Sequence, residues 1–301
     1  MAKCPFRLNA IPPYNVMDYG AHADGTTNDT DHIQACIDAA VAAGRRVYIP
    51  AATYLLEVAA SNYALLLPSN LYMYGAGATT ILLSDVTYPV RIIGPKTGIT
   101  LKNFAMNASY TQSGQAGVCM SDAHSGHLFD GLTITNMRFC GIYLSGGGTF
   151  SSSLVDNCSV TACGDFGITV TGNNTTIANS VFSDFDGILY PPHGIYITDS
   201  TDCVLYRCTT NGPLGNNPSG ISGVQALNCT NLLIEECAAS NCDTGGADGH
   251  GWLIGDGGTY HLKNCTTEGG NETDVYEYSV PAENVTYTGM SFPPFTKKVW
   301  P

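Results

Sequence analysis

A glycine followed by an apolar residue recurs along this chain at nearly even spacing. Gly117-Val118, Gly141-Ile142, Gly167-Ile168, Gly194-Ile195, Gly220-Ile221 and Gly251-Trp252 are separated by 24, 26, 27, 26 and 31 residues. Each pair opens a short alternating run (GVCMS, GIYLS, GITVT, GIYIT, GISGV, GWLIG). A second run follows at a similar offset (HLFDGLTI, SSLVDNCSV, TTIANSVF, CVLYRCTT, LLIEECAA, YHLKNCTT). A period of this length, built from two-residue alternation with no helical pattern, is that of a solenoid of strands. The expected fold is therefore all-β, a right-handed parallel β-helix in which each turn of chain stacks on the last at the ordinary strand spacing of ~4.8 Å.

Stacking turns equivalent residues into ladders. One runs Cys158, Ser180, Cys208, Cys237, Cys265, and beside it runs Asn157, Asn179, Arg207, Glu236, Asn264. Cysteine as a small, half-apolar filler of a tight turn accounts for the first column, which makes the thiols reduced rather than paired. The chain reads as a single domain, with residues 1–56 as an N-terminal cap segment, about 57–290 as rungs and 291–301 as a C-terminal tail. In the cap, DHIQACIDAAVAAG (31–44) puts Ile33, Cys36, Ile37, Ala40 and Val41 on one helical face, with Thr30 or Asp31 as the cap and Gly44 as the stop. A short helix there covers the open end of the solenoid, where a bare strand edge invites aggregation.

Composition narrows the partners. The 25 acidic residues outnumber the 12 basic ones, giving a net charge of −13. Nucleic acid is excluded as a partner, because phosphate-backbone binding relies on clustered Lys and Arg. MAKCPFRLNAIPPYNV carries no apolar stretch of signal-peptide length, and no segment approaches the roughly 18 apolar residues of a membrane span. The expectation is a soluble chain with neither signal peptide nor membrane contact, extracellular or virion-associated if it comes from a phage.

The segment YNVMDYGAHADGTTNDTDHIQACIDAAVAAGRRVYIPAATYLL (14–56) closely resembles the opening of the pectate-lyase-like superfamily of right-handed β-helices, seen also in alginate epimerase modules and phage tailspikes. Its parts are the DYGA start, DGTTNDT, the helix, the VYIP strand and the AATY turn. The resemblance implies the fold; the same opening precedes lyases, hydrolases, epimerases and non-enzymatic receptor binders. Two finer comparisons bear on activity. Gly249-His250-Gly251 followed by an apolar run is similar to a motif of polygalacturonase-type hydrolases, whose paired-aspartate strand and Arg-Ile-Lys motif are absent here. Tyr190-Pro191-Pro192-His193-Gly194 is similar to the alginate epimerase signature only in its Pro-His and lacks the acidic residue.

Aligned on the glycine, the preceding column reads Ala116, Cys140, Phe166, His193, Ser219, His250. Two histidines thus stand in one column, two rungs or ~10 Å apart. The segments leading into these positions are the longest and most polar turns. They carry Asp184, Asp186 and Tyr190, then Asn216 and Asn217, then Asp243 and Asp248. Insertions on one side of a solenoid usually mark its binding side. Tyr143, Thr169, Tyr196 and Ser222 are expected to point outward on the adjoining strands, supplying stacking and hydroxyl contacts to a sugar, with Arg207 as a further contact.

The expected function is that of a carbohydrate-active enzyme cleaving an extracellular polysaccharide, as glycoside hydrolase or polysaccharide lyase. His193, His250, Asp184, Asp186, Asp243, Asp248 and Tyr190 are the candidate catalytic groups. Hydrolysis needs a pair of carboxylates; elimination needs a base such as His or Tyr, with charge stabilisation of the developing anion. The long loops contain no Lys or Arg. No cofactor is called for, although calcium held by the aspartates would neutralise a substrate acid group. The alternatives are a non-catalytic glycan-binding or structural β-helix, such as a phage tail component, and a uronan epimerase. The chain is expected to be a monomer or a homotrimer.

Overall fold

The computed structural model describes residues 11–58, 62–84, 86–108, 115–145, 151–185, 192–212, 221–242, 249–268, 273–290 and 297–300. Their strands form three long parallel sheets of eleven, ten and ten strands, in which each strand pairs with its counterpart one rung away. The first sheet begins with Tyr14–Asn15 and ends with Val285–Thr288. The second runs from Asp24–Asn28 to Thr266–Glu268, and the third from Tyr63–Leu66 to Lys297–Trp300. The chain visits the sheets in rotation, which is the parallel β-helix expected from the repeat. Lys297–Trp300 pairs with Thr273–Tyr278, so within the C-terminal tail these residues supply one more strand to the third sheet.

Corners are made by single residues in the left-handed region. Between the first and second sheets these are Asn103, Gly131, Asn157, Asn179, Arg207, Glu236, Asn264 and Gly289, with φ between 48° and 64°. Asparagine tolerates this conformation better than most residues, which is why it dominates the column. From Asn103 to Asn264 the N–H of each donates to a carbonyl of the next rung, for example Asn157 to Ala178 and Asn179 to Tyr206. The cysteine column follows immediately. Cys158, Cys208, Cys237 and Cys265 are buried free thiols packed into the corner.

The glycine repeat has a steric cause. A Cβ on Gly141 would lie 2.8 Å from the carbonyl oxygen of Gly167 and 2.2 Å from Cγ1 of Val160; on Gly167 it would lie 2.5 Å from the oxygen of Gly194. In this column the next rung's backbone occupies the place a side chain would need. The same test shows where register departs from the sequence reading. A Cβ on Gly194 meets Gly223, and one on Gly223 meets Gly251, so the ladder passes through Gly223 and not Gly220. GISGV contains two glycine–apolar pairs three residues apart, and strand pairing selects the second: Ile195 pairs with Val224, which pairs with Trp252.

At the N-terminal end, helix α1 (Thr30–Ala42) lies over the core, burying Ile33, Cys36, Ile37 and Ala40. Its N-cap is Asp29, one residue before the expected Thr30 and two before Asp31. The buried Asp29 carboxylate accepts the N–H groups of His22 and Ala23 instead of capping the helix, while Asn28 Oδ1 accepts from Thr30 N–H. Asp24 anchors the DGTTNDT segment by accepting from Thr26 and Thr27, bonds that hold its carboxyl well below the usual carboxylate range. α1 also closes the edge of the third sheet. The Gln34 side-chain amide accepts the N–H of Leu66 and donates to its carbonyl, as a neighbouring strand would.

Gly167→Ala and Gly223→Ala are expected to cost about 1–3 kcal/mol each, the usual range for overpacking a tight interior, read as a lower urea midpoint at unchanged slope. Gln34→Ala is expected to unmask the edge of the third sheet and raise the rate of aggregation at micromolar concentration, followed by light scattering.

Candidate functional site

The glycine column gives the third sheet two outward lanes. Glycine and the apolar residue after it both face the core, so the residue before the glycine and the residue two after it both face out. One lane reads Ala116, Cys140, Phe166, His193, Ser222, His250; the other reads Arg91, Cys119, Tyr143, Thr169, Tyr196, Gln225, Leu253, Tyr276. Ala116, Cys119 and Cys140 accordingly form a buried cluster separate from the main core, covered by Tyr88, Phe139, Tyr143 and Phe166.

Rings of the two lanes touch. Phe166 lies 5.7 Å from His193 and 5.5 Å from Tyr196, and His193 stacks on Tyr196 at 5.9 Å. Phe139 lies 5.7 Å from Tyr143 and 5.5 Å from Phe166. Beside these rings runs a trough of about 230 Å³, lined by Phe139, Tyr143, Phe166 and Tyr196 with the hydroxyls of Ser145, Thr169, Thr171 and Thr198. Apolar ring faces flanked by hydroxyl groups suit a sugar, which has an apolar C–H face and polar edges.

His193 is the polar group sealed into this cluster. It is 8% exposed, and its Nδ1 is buried with no hydrogen-bond partner. Burial, and secondarily the nearby His250, lowers its pKa to about 3, so the imidazole is neutral. His250 is buried in the same lane and lies parallel to Tyr276, ring centroids 4.5 Å apart at an interplanar angle of 5°. Ser222 stands between the two histidines.

The structure brings together His193, His250, Tyr143, Thr169 and Tyr196 on one face. Ser222 is also there, but in the histidine lane, 2% exposed, where Ser219 was expected; Gln225 takes the place beside Tyr196. The cause is the register at Gly223. Arg207 is elsewhere. It occupies the corner between the first and second sheets with φ 51°, pairs with Glu236 at 2.7 Å and lies over the Tyr206 ring. Asp184 sits at the corner between the second and third sheets in line with Asn136, Ala162 and Asn241, with φ 62°, and its carboxylate accepts from Ser183 Oγ at 3.1 Å. Asp186, Tyr190, Asn216, Asn217, Asp243 and Asp248 lie outside the described residues. Among the described residues no group of three or more His, Cys, Asp or Glu side chains is placed to hold a metal ion, and no helix is long and apolar enough to cross a membrane. Sequence reasoning missed Phe139, Gln225 and Arg91; strand alternation in TYPVRII would have marked Arg91 as outward.

Two overlapping stretches, residues 71–184 and 116–280, match the family described as right handed beta helix region. The chain belongs to the right-handed β-helix family. Residues 14–87 also match the family described as rhamnogalacturonase A/epimerase, pectate lyase-like. Alginate lyase 7 of Azotobacter vinelandii is 51% identical over 77 residues, which are 24% of this β-helix and 9% of that protein, so the chain spans under a tenth of that relative. The A-module of the Azotobacter vinelandii mannuronan C-5 epimerase AlgE4 superposes with a TM-score of 0.59 at 17% identity, covering 96% of this chain and 99% of the module. The enzymatically active domain of tailspike protein 2 of bacteriophage CBA120 gives a TM-score of 0.65 at 13% identity, covering 93% of this chain and 43% of that one. At these identities the structural likeness is one of fold.

The buried imidazoles make stability pH-dependent. His127 is buried beside His124 and its Nδ1 accepts the N–H of Ile99; burial lowers its pKa to about 4. In the unfolded chain an imidazole takes up its proton near 6.5, whereas His127 and His193 resist protonation until about 4 and about 3. As pH falls below 6.5 the unfolded state therefore binds more protons and stability is lost. The melting temperature is expected to decline from pH 6.5 toward pH 4, and His127→Gln to flatten that slope in thermal scans across the range.

Proposed function

We propose that this β-helix binds a polysaccharide along the outer face of its third sheet and acts on it there, with His193 as the proton-accepting group. The observation that carries the reading is the uncharged, hydrogen-bond-free His193 Nδ1 enclosed by Phe166 and Tyr196 beside a trough of aromatic and hydroxyl side chains. A neutral imidazole has a lone pair available at working pH. A bound sugar that places a proton within hydrogen-bond reach gives that nitrogen its partner, and a developing positive charge on the ring is favoured when negative charge develops on the sugar. Tyr196, whose phenol burial keeps protonated, and Tyr143 would hold the sugar ring in place.

Proton abstraction by His193 has better support than hydrolysis by a carboxylate pair that includes Asp184, because the Asp184 carboxylate is engaged at a corner. Relatives named as an alginate lyase and as mannuronan epimerases are in keeping with a polysaccharide and with chemistry that begins by moving a proton. His250, two rungs on and stacked on Tyr276, would complete the site at its C-terminal end.

The test incubates the purified protein with acidic and neutral polysaccharides, following unsaturated-sugar absorbance and reducing ends together. New absorbance with reducing ends is expected. His193→Ala should then lower turnover by about 10²-fold or more while leaving glycan binding within a few-fold, and Tyr196→Ala should weaken binding. Reducing ends alone would transfer the chemistry to the carboxylates of Asp186, Asp243 and Asp248. Binding with neither signal, and with no inversion of sugar configuration in the proton NMR spectrum of the recovered polymer, would leave a glycan-binding β-helix without catalysis and overturn the role given to His193.

A further inference from the structure

Among the described residues Arg91 is a cation without an anion. It lies in the same outward lane as Tyr143, Thr169 and Tyr196, two rungs or ~10 Å from Tyr143 toward the N-terminal end. Its guanidinium sits 4.5 Å over the Tyr88 ring, and Nη1 donates to Asn62 Oδ1 at 3.1 Å. Nε is buried with no hydrogen-bond acceptor. The ion pairs among the described residues are Lys102 with Asp130, Arg207 with Glu236, Lys263 with Glu235 and His22 with Asp29; none involves Arg91. The Cys119 thiol and the Tyr88 phenol beside it add no charge. Burial pushes the Cys119 thiol up to about 11 and raises the Tyr88 phenol, so both stay protonated.

The arrangement is unusual for a chain with 25 acidic and 12 basic residues, where carboxylates to neutralise an arginine are plentiful. A guanidinium that is partly removed from water and has N–H groups to spare is destabilising unless it meets an anion. Its planar fork matches the two oxygens of a carboxylate or sulfate, and stacking on Tyr88 holds the plane fixed in advance. The lane continues from Arg91 past the small Cys119 to Tyr143, so an anion on Arg91 and a sugar ring on Tyr143 can belong to one saccharide chain lying along the rungs.

We infer that Arg91 is an anion-recognising subsite at the N-terminal end of the third-sheet groove, which selects polysaccharides bearing carboxylate or sulfate groups over neutral ones. This rests on the reading of the groove as a polysaccharide site. It supplies the positive charge that the long loops lack and gives the substrate an acidic character.

The test measures binding by titration calorimetry with three probes of equal length: an oligogalacturonate, a sulfated galactan oligosaccharide and a neutral glucan oligosaccharide. The wild-type protein should bind one anionic probe at least about tenfold more tightly than the neutral one, the scale of a charge-assisted bidentate contact. Added salt should weaken that binding only, and whichever anionic probe is preferred identifies the group. Arg91→Gln should abolish the preference without changing neutral-probe binding, and Arg91→Lys, which keeps the charge but not the fork, should retain part of it. Both variants are compared with wild type by melting temperature, so that loss of fold is not mistaken for loss of the subsite. An undiminished preference in Arg91→Gln, or no preference in the wild type, overturns the subsite. If Tyr196→Ala weakens binding while Arg91→Gln does not, the groove stands and the subsite falls. If the wild type binds no probe, or Tyr196→Ala changes nothing, the groove reading falls and the subsite with it.

Discussion

Everything in this molecule depends on one rung lying on the next in register, at hydrogen-bonding distance, on all three sheets at once. Parallel strands only a few residues long contribute little alone, and the solenoid gains its stability by repetition. Register is kept by two devices that act at different points of the turn. The left-handed corner residues fix where each strand starts and hand an N–H to the next rung. The glycine column lets the backbones of the third sheet stack where a side chain would collide.

The glycine column also shapes the surface. Because it turns two successive residues inward, the strand resumes its alternation out of phase, and the outer face presents two lanes rather than one. Phe166 and His193 of one lane can then meet Tyr196 of the other at ring-contact distance. The features that give the sheet its register thus also assemble the aromatic site, which is built on strand positions rather than on loops.

The fold was readable because its cause is local and repeated. A glycine forced by backbone stacking must recur wherever the stacking recurs, and Asn157, Asn179 and Asn264 mark their corners for the same kind of reason. Register failed at one place, where GISGV offers two equivalent pairs and only contact with Gly194 and Gly251 decides between them. Ser222 therefore moved into the histidine lane. Arg207 stood in the correct corner column, but adjacency in sequence does not say which side of the solenoid a corner faces. Asp184 was legible as a turn residue, and its bond to Ser183 keeps it one. Arg91 escaped notice because its rung lacks the glycine pair, and the want of a counter-ion is a property of three-dimensional surroundings.

The stacked lanes have a consequence for how a chain molecule is held. Since the backbone repeats with each rung, a ligand displaced by one rung finds the same scaffold beneath it, and only the side chains distinguish the new position from the old. Phe166, His193 and Ser222 differ in succession, as do Tyr143, Thr169 and Tyr196, so location along the axis is written entirely in side chains. The groove behaves as a graduated ruler whose marks are unlike one another, and exchanging two marks shifts the reading frame without disturbing the rule.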